Sequence, residues 1–152
     1  MQIVKMRRSN YKDVYSLWIN TPGMGLNTVD DSEKGIGKYL KRNPKTCFIA
    51  KENNKVVGVI LSGHDGRRGF IYHTAVDCAY RKKGIGTALV TKAIVALKKE
   101  GINKVAFVVF KNNKLGNKFW EKQGFNIRED LVYRNKIITD VELQRIDTKK
   151  NT

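Results

Sequence analysis

The stretch YHTAVDCAYRKKGIGTALVTKAI, residues 72–94, sets an apolar strand, a basic loop with two glycines and an amphipathic helix in immediate succession. Phe70 to Val76 is a β-rich run. After Gly84 the apolar residues Ile85, Ala88, Leu89, Ala93, Ile94 and Leu97 recur at helical spacing, and Gly101 stands where a helix-closing residue belongs. A helix that starts here presents unpaired backbone N–H groups and a partial positive charge, which suit a phosphate. Gly84 and Gly86 leave the approach open and permit angles that turn consecutive amides toward one anion. Arg81, Lys82 and Lys83 add charge at the same place.

KGIG occurs twice, at 34–37 and 83–86. The first copy falls inside an expected helix with no strand before it, so its glycines are read as coincidental. The second departs from both common nucleotide fingerprints. Leu89 stands at the third glycine of GxGxxG, and no GK[ST] follows at P-loop spacing.

Upstream, residues 3–8 read as a strand and Ser9 as the N-cap of a helix with Val14, Leu17 and Trp18 on one face. NTPGMG at 20–25 ends that helix, and a second is expected over Asp31–Arg42, stopped by Asn43 and Pro44, with Asp30 and Asp31 either capping it or attracting a cationic substrate. Thr46–Lys51 and Val56–Leu61, joined by ENNK at 52–55, read as a hairpin, with His64 and Asp65 either opening the next turn or placed to meet an amine substrate. Downstream, Val105–Phe110 is an apolar run suited to a sheet centre, and a helix is expected over Asn113–Lys122. A last strand is expected over Leu131–Ile138, then a polar tail from 140 to 152 with a helical piece at 141–145. One domain over 1–139 follows.

The chain of 152 residues is 41% hydrophobic and 29% charged, which fits one globular core. No apolar run reaches the ~20 residues of a membrane span and residues 1–8 lack signal-peptide features, so no membrane association and a cytoplasmic location are expected. Cys47 and Cys78 lack metal-ligand spacing, so two buried reduced thiols and no metal are expected. The formal charge of +16 implies attraction to an anionic partner, and its spread from Lys5 to Lys150 does not choose one. Monomer and homodimer both stay open.

RKKGIG, residues 81–86, matches the R/QxxGxG/A hallmark of the GNAT superfamily of N-acetyltransferases, and the chain resembles that family beyond it. TAVDCAYRKKGIGTAL is similar to the family's strand, turn, loop and helix, with Cys78 where proline is usual. NNKLGNKFWEKQGF at 112–125 is similar to its Asn-led helix ending in GF. The resemblance implies a mixed α/β GNAT fold, with about six to seven strands and about four helices, whose fourth and fifth strands, here 70–76 and 104–110, splay around a pantetheine arm. It implies acetyl-CoA as cosubstrate and a primary amine, on a small molecule or a protein, as acceptor. Backbone groups of Thr74, Ala75 and Val76 would bind pantetheine. Arg81, Lys82, Lys83, Gly84, Ile85, Gly86 and Thr87 would take the pyrophosphate, and Asn113 would reach the cofactor across the splay.

Two positions depart from that pattern. Trp120 stands where many members have a tyrosine acid, and Val108 where some have a glutamate base. The remaining candidates are His73, Tyr72 and Tyr133, with strict strand alternation placing Tyr72 and His73 on opposite faces. A different class, a basic RNA- or ribosome-associated module that keeps acetyl-CoA binding without strong catalysis, fits the charge as well. It predicts a steep salt dependence of nucleic-acid binding.

Overall fold

The computed structural model describes residues 1–149. Its frame is a five-stranded mixed sheet in the order β1-β3-β4-β5-β6, formed by β1 (Gln2–Lys5), β3 (Phe48–Glu52), β4 (Lys55–His64), β5 (Gly69–Val76) and β6 (Val105–Ala106). The first four pair antiparallel, and β5 pairs β6 in parallel. Asn53 and Asn54 take positive φ between β3 and β4, the conformation a tight hairpin turn demands and asparagine tolerates.

Two apolar layers sandwich the sheet. Helices α1 (Tyr11–Ile19) and α2 (Glu33–Arg42) cover one face, burying Val14, Trp18, Ile36 and Leu40 against Ile49, Val59 and Leu61. The other face takes α3 (Ile85–Lys99) and α4 (Lys114–Lys122), where Ile85, Leu89, Val90 and Trp120 meet Ala50, Val57, Ile60 and Ile71. Each such aliphatic side chain contributes about 1.5–3 kcal/mol when fully buried. The 3.6-residue stripe after Gly84 thus became the longest helix, and Gly101 closes it at φ 79°.

Several boundaries differ from the sequence reading for identifiable reasons. Arg8–Asn10 forms a 3-10 turn, so Ser9 lies inside it rather than capping α1. The cap of α2 is Ser32, whose Oγ accepts from Gly35 N at 3.0 Å. The glycines of the first KGIG are not idle, because a Cβ on Gly35 would stand 2.4 Å from the Asp30 carbonyl oxygen and one on Gly37 3.1 Å from the Arg8 side chain. Cys47 is buried as expected, but Cys78 is exposed because it sits on the 3-10 turn that leads out of β5.

The largest corrections concern the last third of the chain. Only Val105 and Ala106 of the expected strand 105–110 pair with β5, after which the chain peels away to lay Phe107 on Trp120, with ring centroids 4.2 Å apart. Val108 is therefore 57% exposed instead of central. Residues 131–138 form no strand and pair with none among the described residues, since β6 offers them no continuing edge. The expected polar tail with a helical piece at 141–145 is, over residues 140–149, a docked segment without that helix, and residues 150–152 lie outside the described residues. The segment's strand β7 (Arg145–Ile146) pairs antiparallel with β2 (Leu26–Asn27), and Lys149 N donates to Ile19 O at 2.8 Å.

Candidate functional site

The site begins where β5 and β6 part. Register holds from Gly69↔Val105 to Phe70↔Ala106 and stops, leaving the β6-facing edge of residues 71–76 without a strand among the described residues. These are the two strands expected to splay. Thr74, Ala75 and Val76 lie on that open edge, and Arg81 Nε reaches back to the Val76 carbonyl at 3.3 Å.

The open edge runs into the glycine loop. Asp77 turns the chain by accepting from Ala79 N at 3.0 Å and holding Lys55 Nζ at 3.3 Å, and these partners, the backbone amide foremost, draw its carboxyl below the usual range. Lys82 and Gly84 then take positive φ, 62° and 79°, with Gly84 as the N-cap of α3. The first intrahelical bond at this end is Ala88 N to Gly84 O at 3.0 Å, so the amides of Ile85, Gly86 and Thr87 stay open. A Cβ on Gly84 would meet nothing within 4 Å, which leaves space for an anion in front of them. Gly86 has a different reason. A Cβ there would sit 2.9 Å from Phe119, so this glycine lets α4 pack against α3. Lys83 and Lys55 flank the Tyr80 ring at 5.3 and 5.4 Å, which fixes the base of the loop.

Asn113 caps α4, its Oδ1 accepting from Gly116 N at 2.9 Å. That leaves its amide nitrogen, which lies 3.5 Å from the Cβ position of Gly23 on the loop after α1. One half of the side chain is committed to the helix and the other faces the α1–β2 loop.

A bulge in β5 rearranges the expected catalytic candidates. Val59 pairs with Ala75 and Leu61 with Tyr72, so Ile60 alone opposes both His73 and Thr74. The extra residue breaks alternation, and Tyr72 and His73 emerge on the same face. Tyr72 packs edge-on against Tyr39 of α2 at 5.7 Å, and His73 against Trp18 of α1 at 5.1 Å. Partial burial first, then the Tyr133 phenol and the Asp30 carboxylate, push the Tyr72 hydroxyl pKa up. The fold thus sets the Tyr72 and His73 rings together, centroids 6.2 Å apart, while Tyr133, 66% exposed, bears on this pair through its charge effect on Tyr72.

One partner in this cluster was not expected. Asp31 is buried, and its Oδ1 lies 2.6 Å from His73 Nε2 while its Oδ2 accepts from Asn27 N at 2.8 Å. The sequence carried a faint signal for it. With Ser32 available as the α2 cap, a second capping residue at 31 was superfluous. Trp18 Nε1 and Tyr39 Oη are also buried and without a hydrogen-bond partner among the described residues, so both rings that hold His73 and Tyr72 carry an unspent donor.

Other candidates resolve as structure. Trp120 is buried among Phe107, Phe119 and Phe125 beneath the sheet. His64 Nδ1 accepts from Gly66 N at 3.0 Å, and Asp65 ties Arg67 N and Arg68 N at 2.8 and 2.9 Å, which is turn chemistry. A depression lined by Lys5, Arg7, Arg8 and Lys41 lies beside β1, at the sheet edge opposite the splay. Among the described residues no three His, Cys, Asp or Glu side chains cluster as a metal site would, and no helix is long and apolar enough to cross a membrane.

Residues 11–125 match the model of the acetyltransferase (GNAT) family. An acetyltransferase of Photorhabdus laumondii subsp. laumondii is 28% identical over 148 residues, covering 93% of this chain and 99% of that protein. Among solved structures, a PaiA N-acetyltransferase from Thermoplasma acidophilum in complex with coenzyme A superposes with a TM-score of 0.72 at 16% identity, covering 84% of this chain and 91% of that one. An aminoglycoside acetyltransferase from an uncultured soil metagenomic sample, in complex with sisomicin, gives 0.68 at 18% identity over 91% of this chain and 96% of its own.

Proposed function

Because the chain belongs to the acetyltransferase (GNAT) family, we propose that it moves the acetyl group of acetyl-CoA to a primary amine, on a small molecule or a protein. One observation carries the reading: the open edge of β5 leads directly into the open amides of α3. A pantetheine arm has amides that can extend a strand, and the pyrophosphate at its end needs an anion site at the strand's terminus. This order of edge and cradle suits both.

In this reading the amides of Ile85, Gly86 and Thr87, with Arg81, Lys82 and Lys83 around them, hold the pyrophosphate. Charge-assisted hydrogen bonds of this kind contribute roughly 1.5–3 kcal/mol each. Thr74, Ala75 and Val76 position the arm, and Asn113 offers its free amide nitrogen from across the splay. His73 lies three residues back from the end of β5, on the order of 10 Å at ~3.3 Å per residue, so an extended arm delivers its thioester near it. The acceptor enters from the α1–α2 side, where Tyr72, Tyr133 and Asp30 line the approach. A neutral amine attacks the thioester carbonyl, and the oxyanion needs hydrogen-bond donors in a site that excludes water. The whole described chain, β7 included, forms this one domain.

The test is a screen for CoA release from acetyl-CoA over polyamines, aminoglycosides, amino acids and short peptides with free N-termini. The reading expects turnover with at least one class, with an acetylated amine found by mass spectrometry. Binding of acetyl-CoA with turnover of none would remove the enzymatic reading, and absence of binding would remove the cradle.

A further inference from the structure

Resting on that reading, we infer that Asp31 is the positioning residue that holds His73 in one tautomer, making His73 Nδ1 the acceptor of the amine proton. A carboxylate oxygen can only accept, so the 2.6 Å contact requires His73 Nε2 to donate. In the neutral ring the other nitrogen then carries the lone pair. Nδ1 has no hydrogen-bond partner among the described residues, and the His73 side chain is 15% exposed against 5% for Asp31, so the ring is closed on its carboxylate side. Trp18 holds the imidazole edge-to-face at 5.1 Å, and the bulge aims it toward α1.

The step balances without a further reagent. The amine nitrogen bonds to the acetyl carbon, the carbon–sulfur bond breaks with its electron pair on the CoA sulfur, and the proton shed by nitrogen goes to Nδ1. It leaves to the thiolate or to solvent. The imidazolium formed meanwhile faces a carboxylate fixed at both oxygens. This arrangement occupies the role that neither Val108, exposed beyond β6, nor Trp120, buried under the sheet, can fill.

Asn27 makes the inference sharply testable. Its backbone N–H donates to Oδ2 and needs an oxygen at that position, so in Asp31→Asn the carboxamide oxygen stays there and the NH2 turns to His73. An NH2 donor forces Nε2 to accept and moves the ring proton to Nδ1, removing the base with almost no change in shape. The titratable groups around this pair are Tyr11 on α1, whose hydroxyl donates to the Asp31 carbonyl at 2.7 Å, Tyr72 on β5, Tyr39 on α2, Asp30 beside Asp31, and Tyr133 on the C-terminal segment, so the control lies outside them at His64, whose ring is tied to Gly66 N in the turn after β4.

The experiment measures acetyl-CoA turnover from pH 6 to 9 with spermidine, kanamycin, lysine and a free-N-terminus hexapeptide, alongside two-dimensional 15N NMR of the imidazoles in the full chain. The wild type is expected to show His73 with its proton on Nε2. Asp31→Asn and His73→Gln are expected to lower kcat by roughly a hundredfold or more while KM for acetyl-CoA moves less than about twofold. Asp31→Asn should also carry its proton on Nδ1 and lose the wild-type acid limb of the pH profile, whereas His64→Gln keeps that limb. A wild-type proton on Nδ1, or Asp31→Asn with kcat within about twofold of wild type, overturns the inference. So does a wild type that binds acetyl-CoA and acetylates none of the four amines. A wild type that is not thermally stabilised by acetyl-CoA points instead to failure of the underlying reading.

Discussion

Single residues carry most of what the sequence hid. Asp31 and Ser32 are neighbours, yet one is a surface cap and the other a buried partner of His73, a division set by where β5 passes and by nothing local. Gly35 shows the same limit. Its lost side chain admits the carbonyls of Val29 and Asp30, which deliver Asp31 to the histidine. Gly35→Ala is therefore expected to cost about 2–3 kcal/mol in urea denaturation, against ~1 kcal/mol gained from helix propensity alone. A variant as stable as the wild type would show that the loop has room. The cysteines separate as cleanly. Burial pushes the Cys47 thiol up to about 12, only partly offset by its bond to the Ser62 carbonyl, while Cys78 is exposed. A thiol reagent at pH 8 should consume one equivalent in the native protein and two in denaturant. Because the folded chain keeps the Cys47 proton after the unfolded chain has lost it, this thiol's contribution to stability declines as pH rises above 9, and Cys47→Ala should flatten that decline.

At the scale of elements, helices with a continuous stripe were legible and strands that needed a partner were not. α3 could be read to within a residue or two because its periodicity, N-terminal glycine and C-terminal glycine agree. The β3–β4 hairpin followed from Asn53 and Asn54. Residues 105–110 and 131–138 have strand composition, but pairing depends on an available edge, and the turn of Phe107 onto Trp120 ends that edge after Ala106. The β5 bulge was equally invisible, since an extra residue leaves no mark in an apolar run, and it decides which face His73 occupies. Trp120 belongs to this scale too, as a packing residue of α4. Trp120→Tyr is expected to lower stability by roughly 1–3 kcal/mol, because the new hydroxyl lies among Phe107, Phe119 and Phe125 without a partner. It should not raise kcat, and a rise would mean that this position does reach the reacting atoms.

Across the whole molecule, the proposed cradle could be put forward from sequence because all its parts lie within one short stretch, whereas the proposed proton-handling cluster joins the α1–α2 loop, β5 and the C-terminal segment, which only the fold brings together. The formal charge of +16 has no single location in the sequence, yet it should act on any anionic cosubstrate. Raising NaCl from 50 to 500 mM is expected to weaken acetyl-CoA binding several-fold, and an affinity insensitive to salt would leave the charge to some other partner. The central claim is that the N-terminus of α3 holds a phosphate-bearing cosubstrate. Gly84→Asp tests it most directly, because position 84 has φ 79° and open space around its missing Cβ. The strain of about 1–2 kcal/mol that this backbone imposes on a side chain is offset by only about a few tenths of a kcal/mol, because glycine is itself a good N-cap, so the free protein loses several degrees of Tm and stays folded. That carboxylate occupies the anion position. In calorimetric titration with acetyl-CoA the wild type should bind and Gly84→Asp should show at least a tenfold loss, while equal affinity in the two proteins, or no binding by the wild type, would contradict the assignment.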